Sequence, residues 1–142
     1  MYKKIVVAID GSDHSFLAAE HAIQLAKLQP GTHVEGIQVL DYEKTKADVL
    51  HSTDPIQLQS KRDEKLQRFR DAFEAASIQY KLIMKHGEPA PMILEHARDT
   101  RADLIIIGSR GLNPLQEIIL GSVSSRVAKR AKCSVMIVKY LS

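Results

Sequence analysis

The sequence predicts an α/β fold built on an open, mostly parallel sheet. Three observations point that way. Short runs such as Lys3–Ile9 (KKIVVAI) and Asp103–Ile107 (DLIII) are apolar and β-branched almost throughout, as strands buried on both faces are. Segments with apolar residues at helical spacing lie between these runs. Strand and helix then alternate along the whole chain, which is the pattern of βαβ units.

The first strand, Lys3–Ile9, ends at the turn Asp10-Gly11-Ser12-Asp13. Ala18, Ala22, Leu25 and Ala26 mark one face of the first helix, and Pro30-Gly31 stops it. HVEGIQVL, residues 33–40, reads as the second strand, and the polar stretch 43–54 reads as a loop. A longer helix is expected from Pro55, with Leu66, Phe69, Phe73 and Ala76 forming one stripe at steps of three and four. Tyr80–Lys85 makes a third strand, closed by His86-Gly87-Glu88-Pro89. Residues 90–99 make a short helix with Ile93, Leu94 and Ala97 facing inward. Asp103–Ile107 is the clearest strand, stopped by Gly108. Ser122–Arg130 forms the last helix and Val135–Val138 the fifth strand.

Right-handed crossovers leave few layouts for five such strands. A chain that winds outward through three strands, then returns to add two on the other side, gives the order 3-2-1-4-5 with helices on both faces. The carboxyl ends of strands one and four then flank the switch point, where open α/β sheets bind ligands. Those ends are Ile9-Asp10-Gly11-Ser12 and Ile107-Gly108-Ser109-Arg110. With no repeat or linker in 142 residues, 1–142 is expected to be one Rossmann-like domain.

Composition narrows the function classes. Aromatic content is 5% with no Trp, which argues against stacking platforms for single-stranded nucleic acid. The net charge of +3 is mild, but residues 118–142 hold Arg126, Lys129, Arg130, Lys132 and Lys139 with no acid. That segment reads as a solvated helix face, or as a field that attracts a phosphorylated small ligand, rather than as a nucleic-acid site. No apolar run approaches the roughly 18 residues needed to span a membrane. A single cysteine, Cys133, fits a reducing compartment and suits an inert, half-buried thiol. A cytoplasmic protein with no membrane partner is expected.

The chemistry concentrates in residues 108–122, GSRGLNPLQEIILGS. Gly108 and Gly111 are separated by two residues, and nine more precede Gly121-Ser122. Glycine lets backbone N–H groups approach phosphate oxygens closely, and a helix beginning near Ser122 would aim free amides at an anion. Ser122 and Ser124 add hydroxyl donors. A purely structural reading also fits, in which Gly108 ends a strand, Gly111 serves a turn and Gly121-Ser122 caps a helix. Neither a P-loop nor a dinucleotide-binding glycine motif occurs.

This spacing, G-x2-G-x9-G-[ST], matches the nucleotide motif of the ATP-binding branch of the universal stress protein family, which the chain resembles. KKIVVAIDGSDHS is similar to that family's first strand and acidic turn, His86-Gly87-Glu88-Pro89 to its G-x-P segment, and residues 102–109 to its fourth strand. Residues 42–60 lack a recognisable counterpart. The resemblance implies a stress-response regulator that binds ATP, or ADP or AMP, with Mg²⁺ or Mn²⁺ held through the phosphates. It also implies a homodimer paired through the fifth strand, Val135–Val138. The loop would wrap the phosphates, with Ser109, Arg110, Ser122, Val123 and Ser124 nearby. Ala8, Ile9, Asp10, Gly11 and Ser12 would lie by the nucleoside, Val39 against adenine, and Ile107 beside the loop. Arg110 stands where the family often has His, and Ser134 where Pro often precedes the last strand.

Asp10 has two readings: a ligand contact near ribose or a metal-bound water, or an Asx turn that helps cap the first helix. None of the six histidines pair at i, i+4, so a helical zinc site has no support and no protein metal ligand is assigned. His14 is close enough to the first turn to reach a phosphate, or is a solvated first-turn residue. No general base or nucleophile signature is evident, which favours a nucleotide-binding module over its alternatives. Those are a slow ATPase or adenylating enzyme, and a nucleotide-free protein-interaction module.

Overall fold

Five parallel strands, β1 (Lys4–Ala8), β2 (His33–Leu40), β3 (Gln79–His86), β4 (Leu104–Gly108) and β5 (Ser134–Val138), form one sheet in the order β3-β2-β1-β4-β5. The computed structural model describes residues 1–41, 55–109 and 121–140. Within them lie helices α1 (Asp13–Leu28), α2 (Pro55–Ala75), α3 (Pro89–Asp99) and α4 (Ser122–Arg130). The predicted strand order is the one observed. Boundaries move by a residue or two, as at β1, where Lys3 and Ile9 fall outside the strand. The loop expected at 43–54 lies outside the described residues, apart from its neighbours.

Alternation along each strand divides the core into two layers. On one face, Ile5, Val7, Val34, Leu104 and Ile106 pack against α1 and α2. On the other, Val6, Ile37, Ile105 and Ile107 pack against α3 and α4. The central strands β1 and β4 are covered on both sides, which is why their sequences are continuously apolar. Leu66, Phe69 and Phe73 of the expected α2 stripe are buried, the two phenylalanines at 0% exposure, while Ala76 falls just past the helix and is half-buried. Phe69 meets Phe16 edge-on at 5.2 Å between ring centroids, and Phe73 stacks on Tyr80 at 5.1 Å. Burying a side chain of this size contributes roughly 1.5–3 kcal/mol.

Two buried residues of β2, Glu35 and Gln38, break the apolar pattern, and one of them carries a charge. Glu35 of β2 is 6% exposed and faces the α3 layer. His96 Nε2 of α3 lies 2.7 Å from Glu35 Oε1, His33 Nε2 lies 3.1 Å from Oε2, and Lys4 Nζ lies 4.0 Å from Oε2. A buried carboxylate is tolerated only when its oxygens are satisfied in this way. Burial works to raise the pKa of Glu35. The hydrogen bond from His96 and the charges of His96, His33 and Lys4 outweigh it and hold the carboxyl below its usual range. The histidines that look scattered in the sequence therefore include His96, which ties α3 to the sheet, and His33, which meets the same carboxylate from within β2.

Replacing His96 by Ala removes one donor and leaves Glu35 buried, so stability should fall by about 2–4 kcal/mol in urea denaturation. The double replacement of Glu35 and His96 by Leu should cost less than that single change. Because the folded carboxyl is depressed, its contribution is complete above the ordinary glutamate range and is lost as pH falls through that range to the depressed value. Glu35→Gln should therefore flatten the acid limb of the stability profile.

Candidate functional site

β1 and β4 stay paired from Ile5–Leu104 to Val7–Ile106, and a cavity of about 360 Å³ opens past their carboxyl ends. Ala8, Ile9, Ile107 and Gly108 line its floor side, and Ile37, Val39 and Leu40 contribute from the end of β2. Gly121, Val123 and Ser124 bring the first turn of α4 to the wall, and Asp10 and Gly11 bring the turn after β1. The crevice is thus at the point where the strand order reverses.

Gly108 makes this geometry possible. A Cβ placed there would lie 2.5 Å from the His14 carbonyl oxygen and 2.9 Å from its carbon. The backbone of α1 therefore rests directly on the end of β4, and the first glycine of the motif is required by packing alone. Gly11 is also constrained, with φ at +83°, a conformation that L side chains rarely adopt.

The turn between them is held by its own side chains. Asp10 Oδ1 accepts from the Ser12 amide at 2.9 Å and from the Ser12 hydroxyl, so the Asx turn is present. Ser12 caps α1, its hydroxyl accepting from the Ser15 amide at 3.2 Å. Ser15 Oγ in turn accepts from the Asp10 amide at 3.2 Å. Asp10 Oδ2 lies 3.4 Å from His14 Nε2. Partial burial works to raise the pKa of Asp10, but the bonds from Ser12 and Ser15 and the charge of His14 prevail and lower it. Asp10 is therefore an ionised, internally bonded carboxylate at the cavity edge.

At α4, Gly121 occupies the cap position and supplies no side-chain acceptor. Ser124 Oγ donates to the Gly121 carbonyl at 3.0 Å. The first-turn amides of α4 thus start at the wall without a side-chain cap, and the positive end of the helix dipole lies beside the cavity.

Of the residues expected from sequence, Ala8, Ile9, Asp10, Gly11, Val39, Ile107, Gly108, Gly121, Val123 and Ser124 come together around this cavity. Ser12, Ser109 and Ser122 are not on its wall. Ser12 is occupied by the cap, and Ser122 is exposed at the start of α4. Ser109 is fully buried, its Oγ accepting from the Tyr140 amide at 3.0 Å. Arg110 and Gly111 lie outside the described residues. Among those described, no group of three or more His, Cys, Asp or Glu is placed to hold a metal ion. No helix among them is long and apolar enough to cross a membrane.

Sequence reasoning missed the contribution of α2, whose Arg62 and Lys65 line the cavity. A signal was present. Arg62 stands one turn before Leu66 on the stripe that continues through Phe69 and Phe73, where an apolar residue would otherwise be expected.

An open α/β sheet with a switch-point crevice beside a helix N-terminus defines a class of small-ligand, anion-accepting domains. The Universal stress protein family model matches residues 1–139, and the chain belongs to that family. Universal stress protein YxiE of Bacillus subtilis strain 168 is 38% identical, over 98% of this chain and 100% of its own length. Among solved structures, hypothetical protein MJ0577 superposes with a TM-score of 0.81 at 30% identity, covering 99% of this chain and 97% of its own. A universal stress protein in complex with cAMP gives a TM-score of 0.70 at 26% identity, covering 97% of both chains.

Gly108→Ala tests the packing argument directly. The new methyl must displace the backbone of α1 rather than a flexible side chain, so stability should fall by about 1–3 kcal/mol. Thermal unfolding of parent and variant measures it, and an unchanged midpoint would show that α1 is not seated as described.

Proposed function

We propose that this protein binds an adenine nucleotide, ATP foremost, at the switch-point cavity and acts as a stress-response regulator rather than as an enzyme. The observation that carries the reading is the uncapped first turn of α4, with Gly121 at its head, opening on the same cavity as the ends of β1 and β4. Phosphates suit that end, because backbone amides and the helix dipole both favour negative charge. The apolar side chains of Ile37 and Val39 suit the base, and Asp10 suits ribose hydroxyls. The related structure in complex with cAMP supports an adenine nucleotide as the ligand class. A divalent ion, Mg²⁺ or Mn²⁺, would be held mainly by phosphate oxygens, with Asp10 a carboxylate on the cavity wall. Its role would be to neutralise phosphate charge.

The test starts with protein purified without added nucleotide, acid release of bound small molecules, mass spectrometry, and then calorimetric titration with ATP. Adenine nucleotide in the release, or micromolar binding, is the expected result. Gly121→Val should abolish that binding while the circular dichroism spectrum stays unchanged, since a side chain would stand where phosphate must approach. Binding equal to the parent would remove the loop from the site.

The outermost strand β5 carries Val135, Met136 and Ile137, all only partly buried. An uncovered apolar edge favours pairing with another strand, and a second copy of β5 would provide one. Sedimentation should therefore give twice the 15.9 kDa chain mass, and a monomer mass would reject the pairing.

A further inference from the structure

We propose that Arg62 and Lys65 of α2 read the phosphate charge of the ligand, so that this chain favours adenosine di- and triphosphate over the mono- and cyclic monophosphate. The inference rests on the reading of the cavity as an adenine-nucleotide site.

The position of α2 over the cavity is fixed by a neighbouring residue. Arg68 Nη1 lies 2.9 Å from Asp13 Oδ1, and its Nη2 donates to the Gly11 carbonyl at 3.1 Å. The same guanidinium lies 4.6 Å from the Phe16 ring centroid and 5.5 Å from that of Phe69. One side chain thus ties α2 to the β1–α1 turn through an ion pair, a backbone bond and two aromatic faces. Steps of three residues back along the helix keep to the same side. They bring first Lys65 and then Arg62 to the cavity.

Lys65 is seated rather than free along its stem. A Cβ built on Gly11 would come within 3.2 Å of Lys65 Cβ and Cδ, so the aliphatic stem lies against the turn. Arg62, half-buried, lines the same cavity.

The charge pattern separates these two cations from the other ionisable groups at the wall. Asp10 already holds bonds from Ser12 and faces His14, while Arg68, off the wall, is spent on Asp13 and Gly11. Asp41, also on the wall, has an interaction of its own. Among the described residues, neither Arg62 nor Lys65 has a hydrogen-bond or ion-pair partner. Two cations that no described residue pairs, on a cavity that also faces the α4 dipole, suit a polyanion. Their attraction grows with each added phosphate, whereas adenosine feels little of it.

The experiment is calorimetric titration of adenosine, AMP, ADP and ATP into the parent, Arg62→Ala, Lys65→Ala and the double variant, at low and high salt. In the parent, affinity should rise along the series. In the double variant, the ratio of ATP to adenosine affinity should fall by about tenfold or more, and its salt dependence should flatten. Arg62→Lys with Lys65→Arg should recover most of the ratio. An unchanged ratio, or a parallel loss for adenosine and ATP, would overturn the charge-reading role while leaving the nucleotide site intact. A parent that binds ATP but not more tightly than AMP would overturn it as well. A parent that binds none of the four would overturn both readings.

Discussion

The absence of a side chain at Gly108 is the constraint from which the cavity follows. Because the His14 carbonyl occupies the space a Cβ would need, α1 and β4 meet backbone to backbone. That contact fixes where α1 begins, and the start of α1 fixes the turn from Asp10 to Asp13. The turn is then self-supporting, with Ser12 capping the helix and engaging Asp10 together. Arg68 completes the sequence of dependencies by holding α2 to Asp13 and Gly11. Three of the cavity walls are therefore set by one close approach, and each later contact only refines what it permits.

The two ends of the sheet handle charge in opposite ways. Near the amino end of β2, Glu35 is neutralised within the protein by His96, His33 and Lys4. At the carboxyl ends, the first turn of α4 has no side-chain cap and two α2 cations have no partner among the described residues. Internal satisfaction buries charge for the sake of the fold, and incomplete satisfaction presents it to solvent.

Much of this was legible in the sequence because it depends on local pattern. The continuous apolar runs of β1 and β4 mark buried strands, and the stripe through Leu66, Phe69 and Phe73 marks the buried face of α2. Crossover handedness then suffices for the strand order. The glycine spacing and the acidic turn likewise point to the switch point, and Asp10, Gly108 and Gly121 are indeed gathered there. What was not legible depends on contacts between residues far apart in the chain. Glu35 and His96 are 61 positions apart, and nothing local tells that a strand glutamate meets a helix histidine. Arg68 and Gly11 are 57 apart, so the placement of α2 at the cavity had no local signature beyond the charge at Arg62. Ser109 shows the reverse case. Its place beside Gly108 suggests a phosphate contact, yet its hydroxyl is used inside the protein.

That use of Ser109 has a mechanical side. The Ser109 amide donates to the Val138 carbonyl at 2.8 Å, and its hydroxyl accepts from the Tyr140 amide. The last residues of the outermost strand are thereby buckled to the first residue after β4, where the chain departs toward the glycine segment. Tension applied at Tyr140 is delivered through those two bonds to Ser109 and so to the end of β4, beside the cavity.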